Sequence, residues 1–454
     1  MAAAADARRS FGRSAGLLSV GVGAAGVITY GYFSLASHNL PAEEYGEIVV
    51  AWSAVFVTIS VLLRPVEQFL SRSIAERHAH GEPIGPALRT GALLQATIAA
   101  AFAICALALR GPLEDSLLSG SEPLYWIYVG AVLGFAASLF ARGFLAGEGR
   151  FGILALLLIA ESSTRAAFAL AVAVGIADGQ TAVALGIAAA PCLSLVVVPL
   201  AFGRRIAAAV PAGGGTPGEG PEPAARLARG GAFAAAVLVI MVSEQALLNA
   251  GPLLLRAFEG AAAAGFIFNV LMLARAPLVV FQGIAISLLP HLTRILSRAG
   301  RDEAFEGSVI GTLRAVAAFT VLVLAVVAVA GPELMQLAFG EQFAYDRTGL
   351  LLVAAGMGFF LASTTLNQAA LAQGQARRAA GCWAASAAGF LIWSLLPALD
   401  AERRIELGFT LAAIALFSLL LRVYRAPRPR AEDVPKPGSP AELEAGLALA
   451  DEAS

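Results

Sequence analysis

Twelve apolar stretches of 18 to 28 residues, separated by short charged segments, constrain this chain more than any other feature. They lie at 14–36, 46–63, 88–109, 124–146, 151–175, 181–202, 231–254, 262–289, 309–330, 348–371, 379–397 and 405–422. An α-helix rises ~1.5 Å per residue, so about 20 apolar residues cross a hydrocarbon layer ~30 Å thick. Alanine, leucine, valine and glycine fill these stretches with no strict period of two, which predicts helices and not barrel strands. Hydrophobic residues make up 58% of the 454 and charged residues 14%, with a mean hydropathy of +0.76. That leaves too little polar surface for a water-soluble chain of this length. The predicted class is an all-α polytopic membrane protein with twelve transmembrane helices.

The first stretch follows Arg8, Arg9 and Arg13, and Ser34-Leu35-Ala36 has a faint likeness to a cleavage site. A signal-peptide core is only ~7–15 residues long, so this longer run reads as an uncleaved first helix. Arginine placement then orients the chain. Of the 31 basic residues, 23 fall on the side of the N-terminus, 5 on the opposite side and 3 (Arg165, Arg275, Arg314) within the stretches. Cytoplasmic loops carry the excess of arginine and lysine. Both termini are therefore expected in the cytoplasm of a plasma-membrane protein, as an even helix count requires.

The longest polar interruption contains a Gly/Pro-rich segment from Pro211 to Pro223. It has no lysine and no GK[ST], so it reads as a flexible linker and not a phosphate loop. The expected organisation is an N-terminal six-helix lobe at 1–210, a cytoplasmic linker at 211–229, a C-terminal six-helix lobe at 230–426 and a largely disordered tail at 427–454. A short repeat supports the halving. Phe135-x-Ala137-Ser138 with Gly149 recurs as Phe360-x-Ala362-Ser363 with Gly374, at a constant offset, as parallel repeats about an axis along the membrane normal would give.

Several chemistries are excluded. The only lysine is Lys436, in the tail, which removes a Walker A lysine and a Schiff-base lysine from the body. Cys105, Cys192 and Cys382 sit in apolar runs as small packing residues, and the four histidines are scattered. No loop holds an acidic cluster for a metal-bound sugar nucleotide. No enzyme activity, metal, cofactor or nucleic-acid partner is expected.

An ionisable group inside the bilayer costs at least ~2.5–3.5 kcal/mol and faces a cavity or a partner. Glu161 and Arg165, one turn apart in the fifth stretch, read either as a self-neutralised structural pair or as a coupling or substrate site. As a closed pair, losing either charge should be worse than losing both. Glu244 and Arg275, at similar depth in the seventh and eighth stretches, are open to the same two readings. Arg64 either snorkels to the headgroups or faces the cavity. Asn367 and Gln368 are interhelical hydrogen bonders or contacts to a sugar, and Arg314 is expected to snorkel.

The stretch Leu40-Pro41-Ala42-Glu43-Glu44-Tyr45-Gly46-Glu47 resembles the entry to the second helix of oligosaccharide flippases. These form a branch of the multidrug/oligosaccharidyl-lipid/polysaccharide exporter superfamily. The likeness continues through Leu63-Arg64-Pro65-Val66-Glu67 to Ile74-Ala75-Glu76. Pro277-Leu278, Gly283, Ala285, Ser287 and Leu288-Leu289-Pro290-x-Leu292-Thr293-Arg294 are similar to a pattern shared with lipid II flippases of the same superfamily. Phe151 after Gly147-Glu148-Gly149-Arg150 looks like the family's glycine loop before helix five.

The resemblance implies a rocking exporter fold of two six-helix lobes around a central cavity. It further implies that the chain moves a polyprenyl-pyrophosphate-linked oligosaccharide from the cytoplasmic to the external leaflet. By the same resemblance the second and eighth helices line the cavity, which makes Arg64 and Arg275 the expected pyrophosphate ligands, and Glu244, Asn367 and Gln368 are the further candidates for the substrate site. Expected partners are the lipid-linked glycan and membrane lipids, with a polysaccharide polymerase or glycosyltransferases as further candidates. The alternatives are a multidrug/cation antiporter of the same fold, which wants a net-acidic cavity, and a non-transporting scaffold whose arginine-rich loops recruit partners.

Orientation is directly testable. In a background without the native cysteines, cysteines placed at Ser121 and Gln180 should react with an impermeant thiol reagent in intact cells, and one at Gly214 should not. Labelling of position 214 from outside would invert the topology.

Overall fold

Within the described residues the apolar stretches form helices. The computed structural model describes residues 2–199, 223–275, 302–397 and 399–426, and all regular structure among them is helical. The principal elements are α1 (Ala2–Asn39), α2 (Ala42–Leu62), α3 (Arg64–His80), α4 (Gly85–Ala108), α5 (Glu122–Gly147), α6 (Phe151–Ala173) and α7 (Gly179–Ser194). After the predicted linker come α8 (Pro223–Glu259), α9 (Ala261–Arg275), α10 (Asp302–Phe339), α11 (Arg347–Ala372), α12 (Ala376–Leu395) and α13 (Ala401–Arg425). Ten of the described helices are long and apolar enough to cross a membrane. The chain is a multi-pass membrane protein. Linker residues 211–222, the Pro277–Arg294 motif and the tail from 427 lie outside the described residues, and residues 223–229 already belong to α8.

Several boundaries differ from the sequence reading, and α1 and α8 begin well before the stretches at 14–36 and 231–254. The second stretch does not stop at the membrane edge. It breaks at Leu63 and resumes as the polar helix α3, because Pro65 has no N–H for the helical ladder. The ninth stretch extends to 38 residues as α10. Ends are otherwise chemically marked. Asp346 caps α11 by accepting from the Thr348 and Gly349 amides at 2.9 and 3.1 Å. Burial alone would push the Asp346 carboxyl up, but Arg403 and those two amides hold it below the usual aspartate range.

The helices form two lobes, each packed on itself. In the first, α6 lies between α1 and α7, and α5 touches α2, α3, α4 and α7. In the second, α8 packs on α12, and α11 packs on both α10 and α13. The repeat noted in the sequence occupies corresponding places. Phe135 and Phe360, with Ser138 and Ser363, are buried in α5 and α11, and Gly149 and Gly374 follow these helices with left-handed φ of 68° and 76°. Gly349 lets α11 and α13 close over the buried Glu406, since a Cβ there would sit 2.1 Å from its Oε1. Glu406 accepts from Tyr345 Oη at 2.5 Å and from Arg403 Nη1 at 2.9 Å, and Arg403 Nη2 reaches Asp346 at 2.7 Å.

The lobes meet at one end of the bundle, the end expected to be external. The hydrogen bonds that join them among the described residues all lie there. Gln342 Nε2 donates to the carbonyls of Ser37 and Leu40 at 2.6 and 3.0 Å, and Glu43 Oε2 accepts from the Ala262 amide at 3.2 Å. Arg256 reaches Ser119 Oγ at 2.7 Å, and Tyr45 Oη donates to Asn269 Oδ1. Phe33 packs on Phe268 and Tyr45 on Phe343 beneath them. At the centre, Gly46 faces the backbone of Ala261, just past Gly260 with φ 101°.

A Cβ at position 46 would stand 1.9 Å from the Ala261 carbonyl oxygen, and backbone cannot step aside as a side chain can. Gly46→Ala should therefore wedge this end open. A cysteine at Phe33, fully buried in the parent, should label several-fold faster with an impermeant reagent in the Gly46→Ala background. Unchanged labelling of a properly folded variant would show that Gly46 does not hold the seal.

Candidate functional site

Charges expected to lie within the membrane are brought together by the fold, and the group is larger than the sequence suggests. Glu161, 6% exposed, lies in the middle of α6 and receives Arg165 Nη2 from one turn on at 3.2 Å. It also receives Arg142 Nη2 from α5 on its other oxygen, and Ser138 Oγ at 3.3 Å. The Arg165 guanidinium lies 4.3 Å from the centre of the Trp52 ring, and its Nη1 reaches Thr29 Oγ1 at 3.4 Å. Four elements of the first lobe, α1, α2, α5 and α6, thus converge on one carboxylate. A desolvated cation over an aromatic face is stabilised by about 2 kcal/mol.

Arg142 leads back to the break after α2. Gly143, the next residue, packs so closely on α3 that a Cβ would sit 2.8 Å from the Glu67 carbonyl oxygen, and Gly147 does the same against Ser71 and Ile74. This approach sets Arg142 within electrostatic reach of the half-buried Glu67, which also lies in the field of Arg64, one turn earlier on α3, and of Glu161. Arg64 in turn acts on Glu244 of the second lobe, together with Arg275. Glu244 lies about 15 residues before the Gly260 turn and Arg275 about 15 after it. At ~1.5 Å per residue both are therefore ~22 Å from the sealed end.

Arg165, Glu161 and Arg142 are joined by ion pairs, and Glu67, Arg64, Glu244 and Arg275 extend this series of alternating sign toward the second lobe by electrostatic reach alone. It contains one more cation than carboxylate. Arg275 keeps Nε and Nη2 buried without hydrogen-bond partners. Such donors are expensive to leave unmade inside a protein, and they are suited to a planar oxyanion.

Of the residues singled out in the sequence, Arg64, Glu244, Arg275, Glu161 and Arg165 all belong to this series. Asn367 is engaged within the second lobe, where its Oδ1 accepts from Trp383 Nε1 at 3.1 Å, the interhelical role. Gln368 keeps a buried Oε1 without a partner. Arg314 is exposed on α10, as a snorkelling residue is. Arg142 and Glu67 were missed as site residues. Arg142 stands close to the end of α5 and counts as one of the topology-setting arginines. Glu67 is visible only as part of the motif beginning at Leu63. Among the described residues no group of histidine, cysteine and carboxylate side chains is arranged to hold a metal ion.

No protein-family model and no curated protein sequence matches the chain. Solved structures do. The chain superposes on the eukaryotic MATE transporter AtDTX14 with a TM-score of 0.65 at 13% identity, covering 92% of this chain and 96% of that one. It matches a variant of the Vibrio cholerae MATE transporter VcmN at 0.63 and 16%, covering 92% and 97%. An inward-facing multidrug resistance MATE family transporter of the MOP superfamily matches at 0.63 and 14%, covering 88% and 93%. At these identities the likeness establishes the fold, the two-lobe architecture of this exporter superfamily.

The third member changes what mutation of the helix-six pair should do. Glu161→Gln strands two buried arginines and should cost about 3–5 kcal/mol, whereas Arg165→Gln leaves the carboxylate one partner and should cost less. The double variant Glu161→Gln with Arg165→Gln should stay well below the parent, because Arg142 is still stranded. Thermal unfolding in detergent measures this. Recovery of parent stability by the double variant would mean that Glu161 and Arg165 form a closed pair after all.

Proposed function

We propose that this chain is a membrane transporter that moves a polyprenyl-pyrophosphate-linked oligosaccharide from the cytoplasmic to the external leaflet of the plasma membrane, without itself catalysing a covalent step. The observation that carries this reading is the excess cation of the inter-lobe series, with Arg275 holding unpartnered guanidinium nitrogens at its end. A pyrophosphate brings about two negative charges into a space where water screens them poorly. Arginine supplies planar, multidentate donors for it.

Arg64 and Arg275 come from different lobes, and Glu244 stands between them in the field of both. Arrival of the headgroup displaces Glu244, and each lobe then holds one side of the same anion. A ligand drives a conformational change only through such differential contact. With the termini in the cytoplasm, closure at Gly46 and Ala261 is the closure of the external side that this reading needs before the headgroup enters. Gln368 is the better placed of the two α11 amides to meet the glycan, because Asn367 is already committed to Trp383.

One observation favours a second reading, multidrug export, since a structure that this chain resembles is described as a multidrug resistance transporter. A cavity selecting cationic drugs would carry an excess of carboxylates, and the series here has the opposite balance.

Arg64→Ala and Arg275→Ala should each abolish complementation of a strain lacking the gene, at equal protein level in the membrane. Arg→Lys at either site should restore part of it, because the charge survives and the planar fork does not. Arg314→Ala should behave as the parent. If both alanine variants complement fully, the anion-clamp reading is wrong and drug export gains.

A further inference from the structure

The loop between α10 and α11 reaches out of the second lobe and grips the first. Gly340 ends α10 with a φ of 97°, a conformation that favours glycine, and a Cβ there would meet the His38 ring at the end of α1 at 3.7 Å. A single 3₁₀ turn follows, Glu341–Phe343. From it Gln342 donates to the carbonyls of Ser37 and Leu40, and the buried Phe343 ring lies 5.1 Å from that of Tyr45. Phe339, just before the loop, packs on Tyr30 of α1 at 5.4 Å. Three side chains of the second lobe thus clasp α1 and the start of α2.

The residues that follow bond back into their own lobe. Tyr345 Oη donates to Glu406 of α13 at 2.5 Å, and Asp346 pairs with Arg403 at 2.7 Å while capping α11. Arg403 also holds Glu406 at 2.9 Å, so the loop, α11 and α13 share one hydrogen-bonded group. Glu406 is fully buried, and a buried carboxylate without donors is costly. Among the described residues none of these four bonds to the first lobe. Only Ala344 separates the gripping pair, Gln342 and Phe343, from the anchored pair, Tyr345 and Asp346. With so short a spacer, displacement of the anchor moves the grip.

We propose that residues 340–346 form a strap that holds the two lobes together at this end, and that its hold is set by the Tyr345–Glu406–Arg403–Asp346 group inside the second lobe. The four are positioning residues, acting on the first lobe through Gln342 and Phe343. When the lobes part at this end the clasp is lost and the anchor stays, so the anchor favours the closed state only by keeping the clasp in place. Such a strap acts whatever the cargo, and it stands apart from the transport reading above.

Ser37 and Ser363 are both fully buried, the first beneath the clasp and the second inside α11. Ser37→Cys and Ser363→Cys, made separately without the native cysteines, report local opening by their rates of labelling with a maleimide. The purified full-length protein in detergent serves, because the result there does not depend on which side of the membrane this end faces. A hydrogen bond to a charged group corresponds to about a tenfold change in an equilibrium. Tyr345→Phe keeps the ring and loses only the hydroxyl, and should raise labelling at position 37 by about that factor without changing position 363. Asp346→Asn still caps α11 but gives up the charge that Arg403 holds, and should act in the same direction.

In a background of Gln342→Ala with Phe343→Ala the clasp is already gone, and Tyr345→Phe should add nothing there. Equal rises at positions 37 and 363 would mean that Tyr345 merely stabilises the second lobe. An undiminished rise in the background without the clasp would mean that it acts by another route. Either result overturns the strap, as does unchanged labelling at position 37 in both Tyr345→Phe and Asp346→Asn. If Tyr345→Phe fails to fold, Asp346→Asn carries the same comparisons. None of these outcomes bears on the anion clamp, which the Arg64 and Arg275 variants test.

Discussion

Inside a hydrocarbon layer a charge has no water to turn to, so each ionised side chain must find an opposite one or face a cavity. In this protein that constraint gathers Arg142, Glu161 and Arg165 into one buried group of ion pairs, with Glu67, Arg64, Glu244 and Arg275 following within electrostatic reach. Glu161 anchors it, held by Arg142 and Arg165 and supported by Ser138. The helix contacts around it follow. The α5 glycines press on α3, Trp52 of α2 covers Arg165, and Thr29 of α1 completes the shell. Neutralising Glu161 would remove the reason for these four elements to meet where they do.

The two ends of the bundle are held by different physics. At the sealed end the lobes touch through backbone, small residues and aromatic rings, with Gly46 against Ala261 and Phe33 against Phe268. Such contacts are short-ranged and either made or lost. Toward the other end, the described link between lobes is electrostatic, through Arg64, Glu244 and Arg275. It acts over distance.

The solved structures with the same architecture include multidrug transporters, so the fold by itself does not choose a substrate. On the transport reading proposed above, the choice would lie in the sign of the charge between the lobes, where Arg275 has unpartnered guanidinium nitrogens suited to an anion. The resemblance of the Leu40–Glu47 and Leu63–Glu67 segments to oligosaccharide flippases points the same way. Both segments also have structural work to do. The first supplies Tyr45 and Gly46 to the seal, and the second supplies Arg64 and Glu67 to the charge series.

The amino-acid sequence by itself determined the class, the rough limits of most described helices, the arginine asymmetry and the isolated charges worth watching. These depend on composition and on distances along the chain, which a helix converts directly into depth in the membrane. It showed Glu161 and Arg165 as neighbours because four residues make one helical turn, and Glu244 and Arg275 at equal depth because a turn lies midway between them. Only the tertiary structure decided that Arg142 belongs with Glu161, 19 residues away on another helix. No periodicity encodes that meeting, or how closely α3 and α5 approach, which is set by the missing side chains of Gly143 and Gly147. The same holds for the seal, where one hydrogen atom at Gly46 in place of a methyl group lets two lobes close.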